Sequence, residues 1–156
     1  MDILDTYLDG LGTLQPSLEK VLLDPRRDVR VRVLLACPGG HLASARGVYR
    51  EDEVSKNARA CIDRLEGFRR QLDSQRLGTG SRVEYGFFDV TVQGPLYLVD
   101  RTRVFAGSFL QLKGSQHTPM YELRSSWMRR WLGDLTKAYI ETFDACWGRR
   151  APACHQ

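Results

Sequence analysis

Alternating apolar and polar residues predict a series of short strands along this chain. Residues 29–36 begin with strict alternation of valine and arginine and end in a continuous apolar run. This pattern is typical of a strand whose second half is buried on both faces. Short runs rich in β-branched and aromatic residues, bounded by turn-forming residues, predict further strands. These lie at 82–88, 96–99, 104–106 and 119–124.

Apolar residues repeating at three- and four-residue steps predict three helices, over 2–23, 52–76 and 126–147. The second has the clearest pattern, with an apolar stripe on one face and charges on the other. In the first, Gly10, Gly12 and Pro16 interrupt the stripe, so a break is expected near residues 13–16. In the third, Ser125 or Ser126 supplies the N-cap, and the aromatic residues are expected to pack on the sheet.

The order of these elements predicts an α/β fold with a mixed central sheet of five or more strands flanked by helices. Residues 29–88 form one strand–helix–strand unit, which should be parallel and right-handed. The chain has 156 residues and no long linker or internal repeat, which suits a single domain over 1–148. The patternless tail, 149–156, is predicted to be disordered.

Composition narrows the functional classes. The net charge of +4, from 23 basic and 19 acidic residues, permits weak attraction to nucleic acid or anionic lipid without demanding it. No apolar stretch approaches the roughly 20 residues of a membrane-spanning helix, and no signal peptide is expected. The four cysteines lack metal-site or disulfide-framework spacing and are interpreted as reduced residues of a cytoplasmic protein. The histidines are too dispersed for a ligand cluster, so neither a metal nor a cofactor is predicted.

Two loops carry candidate ligand-binding groups. Residues 37–41, Cys-Pro-Gly-Gly-His, follow the first long strand, and strand ends are where open α/β sheets place ligand groups. Gly39 and Gly40 would allow backbone amides to approach a ligand, and His41 could contact it. The polar segment 111–118 is expected to be a surface loop that carries His117.

The hairpin around Asp100 resembles the signature of the phospholipase D superfamily. That signature runs His-x-Lys, four residues, Asp, six residues, Gly-Ser, two residues, Asn. Residues 93–111 match its spacing throughout when aligned on Asp100, with Gly107-Ser108 on the Gly-Ser. Gln111 takes the position of the Asn, Gln93 that of the nucleophilic His, and Pro95 that of the Lys. The spacing of the signature is therefore retained, while its reactive His and Lys are absent.

The resemblance implies a phosphodiester-binding domain without the family chemistry. Members of the family form a phosphohistidine, the Lys neutralises phosphate charge, and the Asp orients the His. Glutamine cannot carry a phosphoryl group stably, and proline offers neither charge nor donor, so both changes remove the mechanism. Single-motif members pair as homodimers, which would place Gln93, Asp100, Ser108 and Gln111 of both copies in one central cleft, with His41 and His117 as further candidates.

Three functions remain open at this point. The first is a non-catalytic phospholipase D-like module, a dimeric ligand-sensing or scaffold domain whose ligand is a phosphate-containing small molecule or a nucleic acid. The second is a phosphodiesterase or nuclease that uses His117 or His41 as a substitute nucleophile. The third is a binder of nucleic acid or anionic lipid through its arginine pairs, for which steep salt dependence would be expected.

Overall fold

The computed structural model describes residues 1–5, 11–37, 40, 51–74, 80–89, 94–108, 119–124 and 135–151. Within these ranges the chain is an α/β protein with one six-stranded mixed sheet and three helices. In chain order the elements are β1 (Asp2–Asp5), α1 (Leu11–Leu22), β2 (Arg30–Ala36), α2 (Glu51–Ser74), β3 (Arg82–Phe88), β4 (Leu96–Val99), β5 (Arg103–Gly107), β6 (Met120–Arg124) and α3 (Leu135–Gly148).

The strand order across the sheet is β3-β2-β1-β4-β5-β6. β1, β2 and β3 are parallel, whereas β4, β5 and β6 form an antiparallel meander. β4 joins the two halves by pairing antiparallel with β1, with Leu4 opposite Leu96. The predicted mixed sheet and the parallel pairing of β2 with β3 are therefore confirmed.

The helices cover both faces of the sheet. α1 and α2 pack Leu22, Cys61, Leu65 and Phe68 against one face, where Val31, Val33 and Leu35 are buried. On the other face, Phe143 and Trp147 of α3 pack against Leu34, Leu98 and Val104. Because β2 contributes alternate residues to both clusters, its apolar second half is buried on both sides, as its sequence pattern predicts.

Residues 2–5 are a strand, and the helix predicted over 2–23 is wrong for this segment. Ile3 and Leu4 are fully buried on opposite faces of the sheet, in the two separate clusters. A four-residue strand is too short to show alternation. Its Leu4 also has the helical spacing to Leu8 and Leu11, so the segment resembles the start of the helix that follows. The helix itself, Leu11–Leu22, is continuous through Pro16, without the expected break.

The other boundaries follow the sequence more closely. The predicted helix over 52–76 is observed as Glu51–Ser74, and that over 126–147 is observed from Leu135 to Gly148, while 125–134 lie outside the described residues. Residues 149–151 differ from the predicted disordered tail, because Ala151 exchanges two backbone hydrogen bonds with Phe87 on the outer edge of β3. Residues 152–156 lie outside the described part.

Candidate functional site

Strand direction defines two ends of the sheet. β1, β2 and β3 all finish on one side, which we call the carboxyl end; β4 and β6 begin there and β5 finishes there. The opposite side, where β1 to β3 begin and the β4–β5 turn lies, is called the amino end. From β1 the chain continues to one side through β2 and β3 and then crosses to the other side as β4. The carboxyl end beside such a reversal is where open α/β sheets bind ligands.

Two glycines bring the first and last parts of the signature segment together at the carboxyl end. A Cβ atom built on Gly94 would lie 1.7 Å from the carbonyl oxygen of Gly107 and 3.0 Å from Cα of Ser108. The Gly107 amide donates a hydrogen bond of 3.0 Å to the carbonyl of Pro95. Only a residue without a side chain permits this approach. Gly94, the residue that follows position 93, therefore lies directly against the backbone of Gly107 and Ser108.

Asp5 ends the central strand β1 at the same side of the sheet and is fully buried. The Tyr97 hydroxyl on β4 donates a hydrogen bond of 2.9 Å to Asp5 Oδ2. Tyr97 lies opposite Ile3, so its ring reaches two residues along β1 on the same face. The bond crosses the boundary between the parallel and antiparallel halves, and a buried carboxylate requires such a donor because its desolvation is otherwise very costly.

A third polar group follows β3. The Asp89 side chain lies against Gly40, where a Cβ would be 2.7 Å from Asp89 Oδ1. Gly40 closes a turn by donating to the Cys37 carbonyl at 3.0 Å, and Cys37 extends the β2–β3 ladder by donating to Phe88. Cys37 is disulfide-bonded, whereas Cys61 and Cys146 form no disulfide. The prediction of four reduced cysteines is therefore wrong for Cys37, since chain spacing carries no information about which thiols meet in space.

The predicted site residues divide between the two ends of the sheet. Ser108 follows β5 at the carboxyl end and is exposed, while Asp100 lies in the β4–β5 turn at the amino end and is also exposed. The hairpin separates them by the length of β5, at about 3.3 Å per residue. The remaining predicted site residues, Gln93, Gln111, His41 and His117, lie outside the described residues.

Asp100 has the backbone of a turn residue. Its φ is 52° and that of Arg101 is 55°, and the Thr102 amide donates to the Val99 carbonyl at 3.1 Å. Positive φ at both central residues is typical of the mirror-image turns that match the twist of a hairpin, and Asp tolerates this region better than most residues. β4 separates Asp100 from Gly94, so these two residues lie at opposite ends of the sheet.

The amino end carries a network of ion pairs. Arg32 is buried and donates to both carboxylate oxygens of Asp2, at 2.7 and 2.6 Å. These hydrogen bonds raise the pKa of Arg32 above its ordinary value, against the opposing effect of burial. Its guanidinium lies 4.9 Å from the ring centroid of Phe143 and 5.3 Å from that of Trp147. Asp144 accepts from both Arg32 and Arg101, which ties α3 to the β4–β5 turn.

A second group of charges lies on β2 and β3. Glu84 accepts from Arg30 at 3.1 and 2.9 Å and pairs with Arg82 at 2.8 Å. Hydrogen bonding from Arg30 is the main reason that the pKa of Glu84 lies below its ordinary value. These arginines have partners on the protein itself, which favours a structural role for them.

In the described ranges, no group of three or more His, Cys, Asp or Glu residues could hold a metal ion. Among the helices of the described ranges, none has the length and apolar character needed to cross a membrane.

Sequence reasoning missed Asp5, Tyr97 and Asp89. The sequence pattern places Asp5 in a predicted helix and so does not single it out; Gly10, directly before the observed start of α1 at Leu11, is the available sign that the helix starts later. Asp89 follows directly after a predicted strand, a position that could have singled it out. Tyr97 has no sequence signal of this kind, since its role depends on the pairing of β4 with β1.

Comparison with known proteins gives no relative. No protein-family model matches the chain, and neither does any curated protein or solved structure.

Proposed function

We propose that this protein is a non-catalytic, phospholipase D-like ligand-binding module that works as a homodimer in sensing or scaffolding. Its ligand is a phosphate-containing small molecule or a nucleic acid, and it binds at the carboxyl end of the sheet. The observation that supports the proposal is the contact of Gly94 with Gly107 and Ser108, because it brings together two segments of the stretch that resembles the signature.

The absence of turnover is proposed on residue chemistry and burial. The position of the family Lys is Pro95, which is buried and offers only its carbonyl, already used by the Gly107 amide. A phosphate bound next to Pro95 would therefore have no positively charged side chain from position 95 to neutralise it. Loss of a nucleophile typically lowers the rate by several orders of magnitude, and electrostatics alone do not replace the covalent step.

The binding test is an amide-resolved NMR titration of the purified protein with adenosine monophosphate and with a short single-stranded DNA. We expect chemical-shift changes at Gly94, Gly107 and Ser108, and none at the turn residues Asp100 and Thr102. Ser108→Leu should weaken binding by roughly tenfold or more by filling the site, whereas Asp100→Asn should leave it unchanged. Shifts confined to the amino end would contradict the proposed location.

The activity test uses bis-p-nitrophenyl phosphate and single-stranded DNA as substrates. We expect no turnover above background. Turnover that disappears in His41→Ala or His117→Ala would instead establish the phosphodiesterase with a substitute nucleophile. Turnover that persists in both variants would indicate a contaminating enzyme.

A further inference from the structure

Exposed apolar side chains lie on the edge strand β6 and on the helix that contacts it. Among the described residues, the large hydrophobic side chains that are most exposed are Met120 at 39%, Tyr121 at 61% and Leu135 at 53%. The first two belong to β6, the last strand of the sheet, and Leu135 begins α3, which contacts β5 and β6. Met120 and Tyr121 are consecutive residues and therefore point to opposite faces of the sheet, but both lie on an edge strand, where exposed apolar residues are typical of an association surface.

The backbone of β6 is available for pairing along its outer side. The Gly107 amide faces β4, where it bonds Pro95, so Ala106 and Val104 face β6 by alternation. Their partners across the ladder are Tyr121 and Leu123. The N–H and C=O groups of Met120, Glu122 and Arg124 therefore point away from β5. In the described part of the chain, no strand pairs with this side.

The charges of β6 make it complementary to a second copy of itself. Glu122 and Arg124 lie two residues apart on one face, and Arg124 donates to Glu122 at 2.7 Å within the chain. Antiparallel pairing centred on Leu123 would place each Glu122 opposite the partner's Arg124, and Leu123 opposite the partner's Leu123. In the same register, the outward-pointing groups of Glu122 and Arg124 form the inter-chain hydrogen bonds.

We propose that two copies of this chain pair through the outer side of β6, antiparallel and centred on Leu123, to join two sheets of six strands into one continuous sheet. Arg124 is directly opposite Arg103 of β5, so an acidic neighbour on its free side relieves like-charge repulsion. The exposed Tyr121 lies on the pairing strand and would lose solvent contact in the dimer.

This interface leaves the two carboxyl ends apart, facing opposite directions along the joined sheet. It therefore differs from the shared central cleft that the signature resemblance implies, and it does not depend on the proposed ligand. A pair of short edge strands buries less than the roughly 1,200–2,000 Å² of a standard interface, and even interfaces of that size can be as weak as micromolar, so a dissociation constant of about micromolar or weaker is expected.

The first experiment is sedimentation equilibrium of the full chain from about 1 to 200 μM, a range that brackets the expected constant. The wild type should change from monomer to dimer across this range. Glu122→Pro removes an N–H that β5 does not use and should abolish the dimer, whereas Glu122→Ala keeps that N–H and should weaken it by less than Glu122→Pro. A monomeric wild type, or a dimer unaffected by Glu122→Pro, would overturn the proposal.

The second experiment exchanges charges and does not rely on proline. Glu122→Arg and Arg124→Glu should each raise the dissociation constant by roughly tenfold or more, since each puts like charges opposite one another. Mixing the two variants should produce a one-to-one heterodimer, because arginines then face glutamates at both positions. The double variant carrying both changes should dimerise with itself. Failure of the mixture to pair would rule out this register.

If the β6 variants all remain dimeric and only Ser108→Leu is monomeric, the interface lies at the carboxyl end. That result would contradict pairing through β6. Conversely, loss of the dimer in Glu122→Pro with adenosine monophosphate binding retained would support both proposals separately.

Discussion

The two ends of the sheet are stabilised in different ways. At the amino end, arginines on β2 and β3 pair with the carboxylates of Asp2 and Glu84, and Arg101 in the β4–β5 turn pairs with Asp144. At the carboxyl end, backbone lies directly on backbone at Gly94 and Gly107, and the polar groups there are Asp5, Tyr97, Asp89 and Ser108. The described residues at the strand ends on this side, 5, 36–37, 40, 88–89, 94–96, 107–108 and 119–120, include no arginine or lysine.

The two ends therefore differ in the part that arginine–carboxylate pairs play in them. Ion pairs that are satisfied within the chain fix elements in place but leave little charge to offer a ligand. At Gly94 the space of a side chain is taken by the Gly107 backbone, so the glycine serves to bring two chain segments together. The abundance of arginine in the sequence would by itself point to the amino end as the functional side, but the arginines described there pair with carboxylates of the same chain.

The largest expected effect is at the buried pair of the amino end. Arg32→Ala leaves the Asp2 carboxylate, which is 5% exposed, without its bidentate partner. Removing one member of a buried ion pair typically costs about 3–5 kcal/mol. Urea denaturation should therefore show a loss of this size in the free energy of unfolding.

Two matched variants sharpen that test. Arg27→Ala removes an arginine that is 61% exposed and paired with Asp24. The free energy of unfolding should therefore fall by no more than about 1 kcal/mol. Replacing Asp2 and Arg32 together by Leu and Met should recover most of the stability, because no charge is then left buried without a partner. Equal losses in Arg32→Ala and Arg27→Ala would contradict the structural role given to Arg32.

An intermediate effect is expected at the carboxyl end. Gly94→Ala places a Cβ where the Gly107 carbonyl lies, and such overpacking typically costs about 1–3 kcal/mol. The control is Gly67→Ala in α2, where an added Cβ has no neighbour within 4 Å and should stabilise the helix by up to about 1 kcal/mol. Thermal unfolding of both variants gives the comparison, and opposite signs are the expected result.

The smallest effect depends on pH. The pKa of Glu84 is lowered by hydrogen bonding from Arg30, so the ionised form stabilises the folded state above its ordinary pKa. That contribution is lost as the pH falls through the lowered pKa of the folded state. Glu84→Gln should therefore cost up to about 1 kcal/mol at neutral pH, and this cost should shrink progressively as the pH falls below the ordinary pKa of a glutamate.

The matched control for this measurement is Glu141→Gln, which removes an exposed carboxylate 3.6 Å from Lys137. Its stability should differ from that of the wild type by no more than a few tenths of a kcal/mol at any pH, the typical worth of an exposed helical pair. A difference between Glu84→Gln and the wild type that is independent of pH would show that ionisation of Glu84 is not its source.

Local patterns were sufficient for most secondary structure. The valine–arginine alternation of residues 29–36, the amphipathic helix near 52–76 and the two short runs around Asp100 all correspond to observed elements. Each has a periodicity long enough, or turn residues specific enough, to be recognised without knowledge of its neighbours. The positive φ of Asp100 is consistent with the same local chemistry.

Properties that depend on which strands meet were decided by the tertiary structure alone. β1 has only four residues, and pairing with β2 and β4 gives it the burial that its own length could not indicate. That pairing brings Tyr97 to Asp5, and the direction of β5 sends Ser108 and Asp100 to opposite ends of the sheet. Spacing along a chain fixes how many residues separate two groups, but strand direction determines whether they meet.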